Sequence, residues 1–293
     1  MSDVERFIPP PWRGAWRAWV CAVSVGVLGG VAGCSLSSAP ASRVGSDSAY
    51  ASASGSVPGP GASPGPSTST NTSRVPGLAS RCPAWLAQQH SGEGRLYGID
   101  AAQSKLRILV FRGGRLAGLG HHHVIGAEQP LAGQVYLPKD GWAGAGAELG
   151  FRLDQLVLDT PAWRTAMGGE FAKVLSEADI AGTRANMLKA LEADRFPVVQ
   201  ASTVAVEAAW PRPVLRLKVV LHGQERLLDL PVEALAPEGD GPLQARGRLV
   251  LRQSDFGIQP FSVLGGLLAI QDALVVELDL VARPALACQA LPT

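Results

Sequence analysis

Along most of its second half the chain alternates hydrophobic and polar residues, and the clearest such stretch is 104–111. Ser104, Leu106, Ile108 and Val110 fall on one face, and Lys105, Arg107, Leu109 and Phe111 on the other, the period of a β-strand. Arg112-Gly113-Gly114-Arg115 predicts a tight turn, because paired glycines supply the positive φ angles a hairpin needs. A second strand is expected from Leu116 through His121-His122-His123 to Ile125. Further strands are expected over 131–137, 151–158, 198–208, 214–222, 227–233, 245–252 and 274–282. Over 214–222, Leu215, Leu217, Val219 and Leu221 share a face opposite Arg216, Lys218 and His222.

The period changes once, over 161–195. Thr183 is placed to cap a helix in which Met187, Leu188 and Leu191 share a face, with Lys189 and Glu192 outward. Phe171, Val174 and Leu175 suggest a shorter turn before it, residues 83–90 another helical turn, and Phe196-Pro197 ends the helical stretch. The expected fold class is all-β: about eight antiparallel strands in a closed lipocalin-like barrel, which leaves no exposed sheet edge, with one helical excursion. An open two-sheet sandwich is the competing arrangement.

Composition narrows the function. The 293 residues carry a net charge of +1, with 46% apolar and 17% charged residues. A clustered basic excess is missing, which argues against nucleic-acid binding. The glycine-rich stretch 141–150 misses the GxGxxG dinucleotide spacing by one residue and reads as a flexible connection.

The N-terminal part stands outside the fold. Arg13 and Arg17 precede an apolar run over 18–31 that is short for a membrane span and has the make-up of a signal-peptide core. It ends in Val31-Ala32-Gly33-Cys34, which resembles the bacterial lipobox and makes Cys34 the expected lipidation site. Acyl chains contribute roughly 0.8 kcal/mol per buried CH₂, a near-permanent anchor. Ser35, rather than Asp, after the cysteine implies the outer membrane by resemblance to known sorting rules. The expected division is a signal peptide over 1–34, a tether over 35–80 and a barrel domain over 81–293. The tether is rich in Ser, Ala, Gly and Pro with no apolar period to bury, and as a coil would reach roughly 35–40 Å. Its Asn71-Thr72-Ser73 sequon carries no weight in a bacterial cell. With Cys21 in the signal and Cys34 carrying lipid, Cys82 and Cys288 are left for a disulfide in an oxidising compartment, or as two free thiols on frayed ends.

The order of short motifs resembles the YceI-like family, periplasmic proteins with a lipocalin-like fold that bind polyisoprenoid lipids. The resemblance spans 97–282. It rests on Tyr97-x-Ile99-Asp100 with Ser104, on Asp159-Thr160, on Phe196-Pro197 with Ser202, on Leu221-His222-Gly223 before LLDLPV, and on Arg252-x-Ser254-Asp255-Phe256-Gly257-Ile258. It implies a barrel whose tunnel holds an isoprenoid tail, the lipid being the expected ligand, with no other cofactor assigned. Leu106, Ile108, Val110, Leu215, Leu217, Val219 and Leu221 are the expected lining residues. A barrel packed solid is the alternative, and the Asp255-Phe256-Gly257 piece reads as a structural corner.

The triple histidine departs from that family's pattern. On a strand His121 and His123 would project to one side about 7 Å apart at Cα, a spacing that lets two imidazoles share a metal with a third ligand such as His222, His90 or a carboxylate brought in by the fold. No HExxH, CxxC or GxSxG accompanies them. His123, Asp154 and Ser104 could converge, but a barrel of this size brings such triples together by accident, so no catalytic residue is assigned. Two readings stay open: a membrane-tethered binder of an isoprenoid or similar amphiphile, and a metal-binding or interaction barrel without a lipid.

Overall fold

The alternating stretches form strands that curl into a closed antiparallel barrel in the computed structural model, which describes residues 78–127, 131–207, 212–235 and 237–293. Cys21, Cys34, the rest of the expected signal peptide and Asn71 lie outside the described residues. The strands are β1 (Gly94–Ile99), β2 (Lys105–Val110), β3 (Arg112–Gly113), β4 (His123–Ala127), β5 (Ala132–Pro138), β6 (Gly146–Arg152) and β7 (Val157–Leu158). They continue with β8 (Val198–Glu207), β9 (Val214–Leu221), β10 (Gln224–Leu235), β11 (Leu243–Arg252), β12 (Ser262–Val263), β13 (Leu268–Ile270) and β14 (Ala273–Pro284).

Eight staves close the barrel, because three of them are each built from two segments. Strand β14 pairs along one edge with β11 and along the other first with β2, then with β1. In the same way β5 pairs with β1 and β4 with β2, while β6 pairs with β5 and β7 with β4. The break between β1 and β2 is an Asx turn: Asp100 accepts from the backbone of Ala102 at 3.1 Å and is held by Arg283 at 2.8 Å. Strand β1 was not foreseen, since its two glycines blur the alternation, and β6 begins at Gly146, inside the stretch expected to be a connection.

The triple-histidine strand does pair with β2, Val110 opposite His123 and Leu106 opposite Ala127. The connection is not the expected Arg112–Arg115 turn. Residues 111–122 leave the barrel instead: Arg112–Gly113 pairs with β13 in a three-stranded side sheet, and a 3₁₀ turn follows at Ala117–Leu119. Gly114, at φ 84°, is needed for close approach rather than for a hairpin, since a Cβ there would sit 2.4 Å from the Leu267 carbonyl oxygen. A tight two-residue turn occurs elsewhere, at His222-Gly223, where both residues have positive φ.

The helical excursion holds two helices, not one. α2 (Pro161–Met167) is capped by the Thr160 hydroxyl with proline at its start, and its Trp163 ring packs where Gly126 lacks a side chain. α3 (Glu177–Ala190) starts earlier than expected, because Ser176 and Asp179 form a reciprocal capping box, and Thr183 lies inside the helix. The remaining helix, α1 (Cys82–His90), packs Trp85 against Tyr136 on the barrel exterior.

The first described residues and the C-terminal segment lie on the outside of the barrel. Leu78, Ser80 and Arg81, at the tail of the expected tether, already bond to barrel residues: Leu78 N–H donates to Gln200 at 2.7 Å and Arg81 N–H to Glu148 at 2.9 Å. The C-terminal segment lies over the adjoining staves, with Gln289 donating its backbone N–H to Gln134 at 3.0 Å and its side-chain amide to the Ile99 carbonyl at 2.9 Å. Cys82 and Cys288 join the two segments in a disulfide, with 5.8 Å between their Cα atoms. On the outward strand faces ion pairs run across neighbours, Arg216 to Asp229 at 2.9 Å and Arg246 to Asp279 at 3.3 Å, each worth little in solvent.

Candidate binding cavity

The inward faces enclose a cavity of about 430 Å³, within the range of small-molecule sites. Leu106, Ile108 and Val110 of β2 line it, as do Leu217, Val219 and Leu221 of β9. Leu215 lines a separate apolar void of about 70 Å³ beside Trp142 and Leu243. Leu278 borders both spaces. The lining is otherwise mostly aliphatic, with Leu, Ile and Val from every side and Phe151 and Phe261 as its only rings besides the histidines. These walls follow from the period of two, which turns the apolar residues of each stave inward while the ion pairs stay outside.

Among the described residues the polar lining is Arg112, His121, His123, Thr183, Asn186 and Gln253. Their contacts place four of them together. Arg112 stands opposite Ile270 in the side sheet, the Gln271 amide donates to the Arg112 carbonyl at 3.2 Å, and the Gln253 amide donates to the Gln271 carbonyl at 2.9 Å. The rings of His121 and His123 are 6.3 Å apart. Leu119 both lines the cavity and is 68% exposed, so this end, framed by the 111–122 connection, α3 and β13, is its mouth.

Behind His123 lies a buried charged group that sequence reasoning did not assign. Asp159 is 1% exposed and Arg164, on α2, is 4% exposed. Asp159 Oδ2 takes His123 Nδ1 at 2.7 Å, and Oδ1 accepts from the Val124 backbone at 2.9 Å and from Arg164 at 2.6 Å. Arg164 also donates to the carbonyls of His122 at 2.8 Å and Lys173 at 2.9 Å. Burial alone would raise the Asp159 pKa, but the hydrogen bonds from His123, Val124 and Arg164 outweigh it and hold the carboxyl below its ordinary range. The residue sits at φ 54°, a left-handed conformation that Asp tolerates better than most. The signal available in the sequence was Asp159-Thr160-Pro161, a helix start with its cap and first-turn proline.

Burial, and after it the positive charge of Lys173, pushes the His121 pKa down; burial and then Arg112 do the same for His122. His121 Nδ1 is buried without a hydrogen-bond partner in the protein. The expected third metal ligands are not brought to them. His222 Nδ1 donates to the Phe256 carbonyl at 3.1 Å with Nε2 3.3 Å from Glu192, and His90 closes the last turn of α1. Among the described residues no three His, Cys, Asp or Glu side chains converge as a metal set. Ser104, Asp154 and His123 also part company: Ser104 bonds the Val281 backbone at 3.2 Å, Asp154 pairs with Arg152 at 3.0 Å, and His123 with Asp159. The Ser254–Phe256 turn ends at Gly257 in the left-handed region, with the Phe256 ring wholly buried, a corner of the fold.

No known family profile matches the sequence, and no curated protein does. Among solved structures the chain is similar to BcnA of Burkholderia cenocepacia, at 14% identity and a TM-score of 0.45, covering 62% of this chain and 98% of that one. It is similar, too, to a polyisoprenoid-binding domain of Saccharophagus degradans implicated in plant cell wall breakdown, at 14% identity and a TM-score of 0.44, covering 64% and 98%. A third is a YceI protein of Campylobacter jejuni, at 12% identity and a TM-score of 0.33, covering 48% and 72%.

Proposed function

We propose that this chain is a lipid-binding barrel of the bacterial envelope, holding an isoprenoid or similar amphiphilic lipid in its interior for carriage, storage or sensing. The observation that carries the reading is the cavity itself: about 430 Å³, walled by aliphatic side chains, with polar groups gathered at a mouth. An apolar tail moved there from water gains about 25 cal/mol per Å² buried, while a polar end stays near solvent. The polyisoprenoid-binding domain of Saccharophagus degradans has a similar fold, which agrees with this ligand class. The signal sequence, the Val31–Cys34 motif and the Ser-rich tether support a lipoprotein anchored on the periplasmic side, at the outer membrane.

The test is organic extraction of natively purified protein, followed by titration of the delipidated barrel with isoprenoid quinones and prenols. Recovery of a lipid in near-stoichiometric amount, or saturable uptake, is expected. No lipid recovered together with no uptake would leave the barrel a scaffold and end this reading.

A further inference from the structure

We infer that the mouth selects a lipid whose polar end donates a hydrogen bond, a hydroxyl, over one that ends in an ether, a carbonyl or a phosphate; this rests on the reading above that the cavity holds a lipid. Ionised Asp159 can only accept, and its Oδ2 is 2.7 Å from His123 Nδ1, so that nitrogen carries the proton. Asp159 is already matched in charge by Arg164. In neutral imidazole the other nitrogen is then a bare acceptor. No donor among the described residues reaches His123 Nε2, and His123 lines the cavity.

The other polar groups at the mouth tilt the same way. Gln253 donates one amide hydrogen to the Gln271 carbonyl at 2.9 Å, which leaves its side-chain oxygen open as an acceptor beside one N–H. His121 Nδ1 is buried and unpartnered, and burial and Lys173 favour the neutral ring, which can use that nitrogen as an acceptor. The donors are engaged elsewhere: Arg112 pairs with Glu170 at 2.6 Å and donates to the Gly120 carbonyl at 3.1 Å. Arg164 lies behind His123 and is not part of the lining. Thr183 and Asn186 on α3 can both donate and accept, and leave the balance unchanged. A mouth of free acceptors and occupied cations fits an O–H and offers an anionic head no unpaired positive charge.

The experiment uses the full protein, purified from membranes and delipidated, at a pH above the histidine range. The probes are farnesol, its methyl ether and farnesyl phosphate, which share one tail. Farnesol is expected to bind about tenfold tighter than the ether, equivalent to ~1.4 kcal/mol, and tighter than the phosphate. His123→Phe should bring the alcohol-to-ether ratio close to one while ether affinity is kept; His121→Phe should reduce the ratio in the same direction. Equal binding of alcohol and ether by the unaltered protein, or preference for the phosphate, overturns the hydroxyl inference and leaves the lipid cavity standing. Binding of none of the three overturns the lipid reading, and this inference with it.

Discussion

His123 and Asp159 meet across 2.7 Å from neighbouring strand ends, and the same carboxylate holds Arg164 of α2 at 2.6 Å. One buried anion therefore fixes a cavity-lining ring, a barrel stave and a helix. Removing its charge leaves Arg164 buried without a counter-ion, a situation that typically costs ~3–5 kcal/mol. Asp159→Asn should shift the urea midpoint accordingly, whereas Asp154→Asn, whose pair with Arg152 is exposed, should change stability by about 0.5 kcal/mol or less. A midpoint for Asp159→Asn equal to that of the unaltered protein would remove Asp159 from this structural role.

Asp159 also predicts an acid limb. Its carboxyl is held below the unfolded value of 3.8, so the stabilisation is fully present above that value and is lost as pH falls through the lower folded one. Thermal melts in this acid range should show a decline in the unaltered protein that is blunted in Asp159→Asn.

His121 and His122 act at milder pH. Both are pushed below the reference value of 6.5, burial being the main cause. The unfolded chain then binds protons more readily than the folded one, so stability should fall as pH drops below 6.5 toward the depressed folded values. Replacing both rings by Phe should flatten the melting temperature between neutral and mildly acid pH; an unchanged slope would assign the dependence to other groups.

The disulfide spans 206 residues of sequence, and a loop of that size contributes up to about 5 kcal/mol in the chain-entropy model. Replacing Cys82 and Cys288 together by Ser should lower stability by a few kcal/mol without changing the amplitude of the far-ultraviolet circular dichroism. Peptide mapping without reductant should recover the linked pair from natively purified protein.

Filling the cavity should separate binding from folding. Ala201 and Ile108 line it and are only half-buried. Ala201→Phe and Ile108→Glu are expected to abolish lipid retention, the first by volume and the second by desolvation of a charge, while a cooperative melt survives. Cys34→Ser tests the anchor in parallel: the protein should leave the outer-membrane fraction after a high-salt wash.

The inward faces of β2 and β9 were legible because alternation is a local property: once one residue of a stave points inward, its neighbours two apart do too. What alternation does not give is height along the barrel axis, and so Leu215 falls in the small void and Leu217 in the large one. The side-sheet pairing of Arg112 with Ile270 joins residues 158 apart in sequence, and no local pattern encodes it; the glycine pair suggested a hairpin because glycine serves close backbone approach as readily as a turn. Asp159 was visible as the end of a strand and in the Asp159-Thr160 motif, but without a role, because its partners His123 and Arg164 become neighbours through the pairing of β4 with β7 and the start of α2. Ser176-x-x-Asp179, by contrast, was a readable capping box that Thr183 overshadowed.

With its first helix and its last segment joined through Cys82 and Cys288, the folded domain is covalently a ring. A protease that cuts the exposed stretch around Leu119 at the cavity mouth, or around Leu264 between β12 and β13, opens that ring without releasing a fragment. Clipped molecules would keep their full mass on a gel run without reductant and separate into two pieces only after reduction, so cleavage at the mouth can be followed as a strand break within a single covalent body.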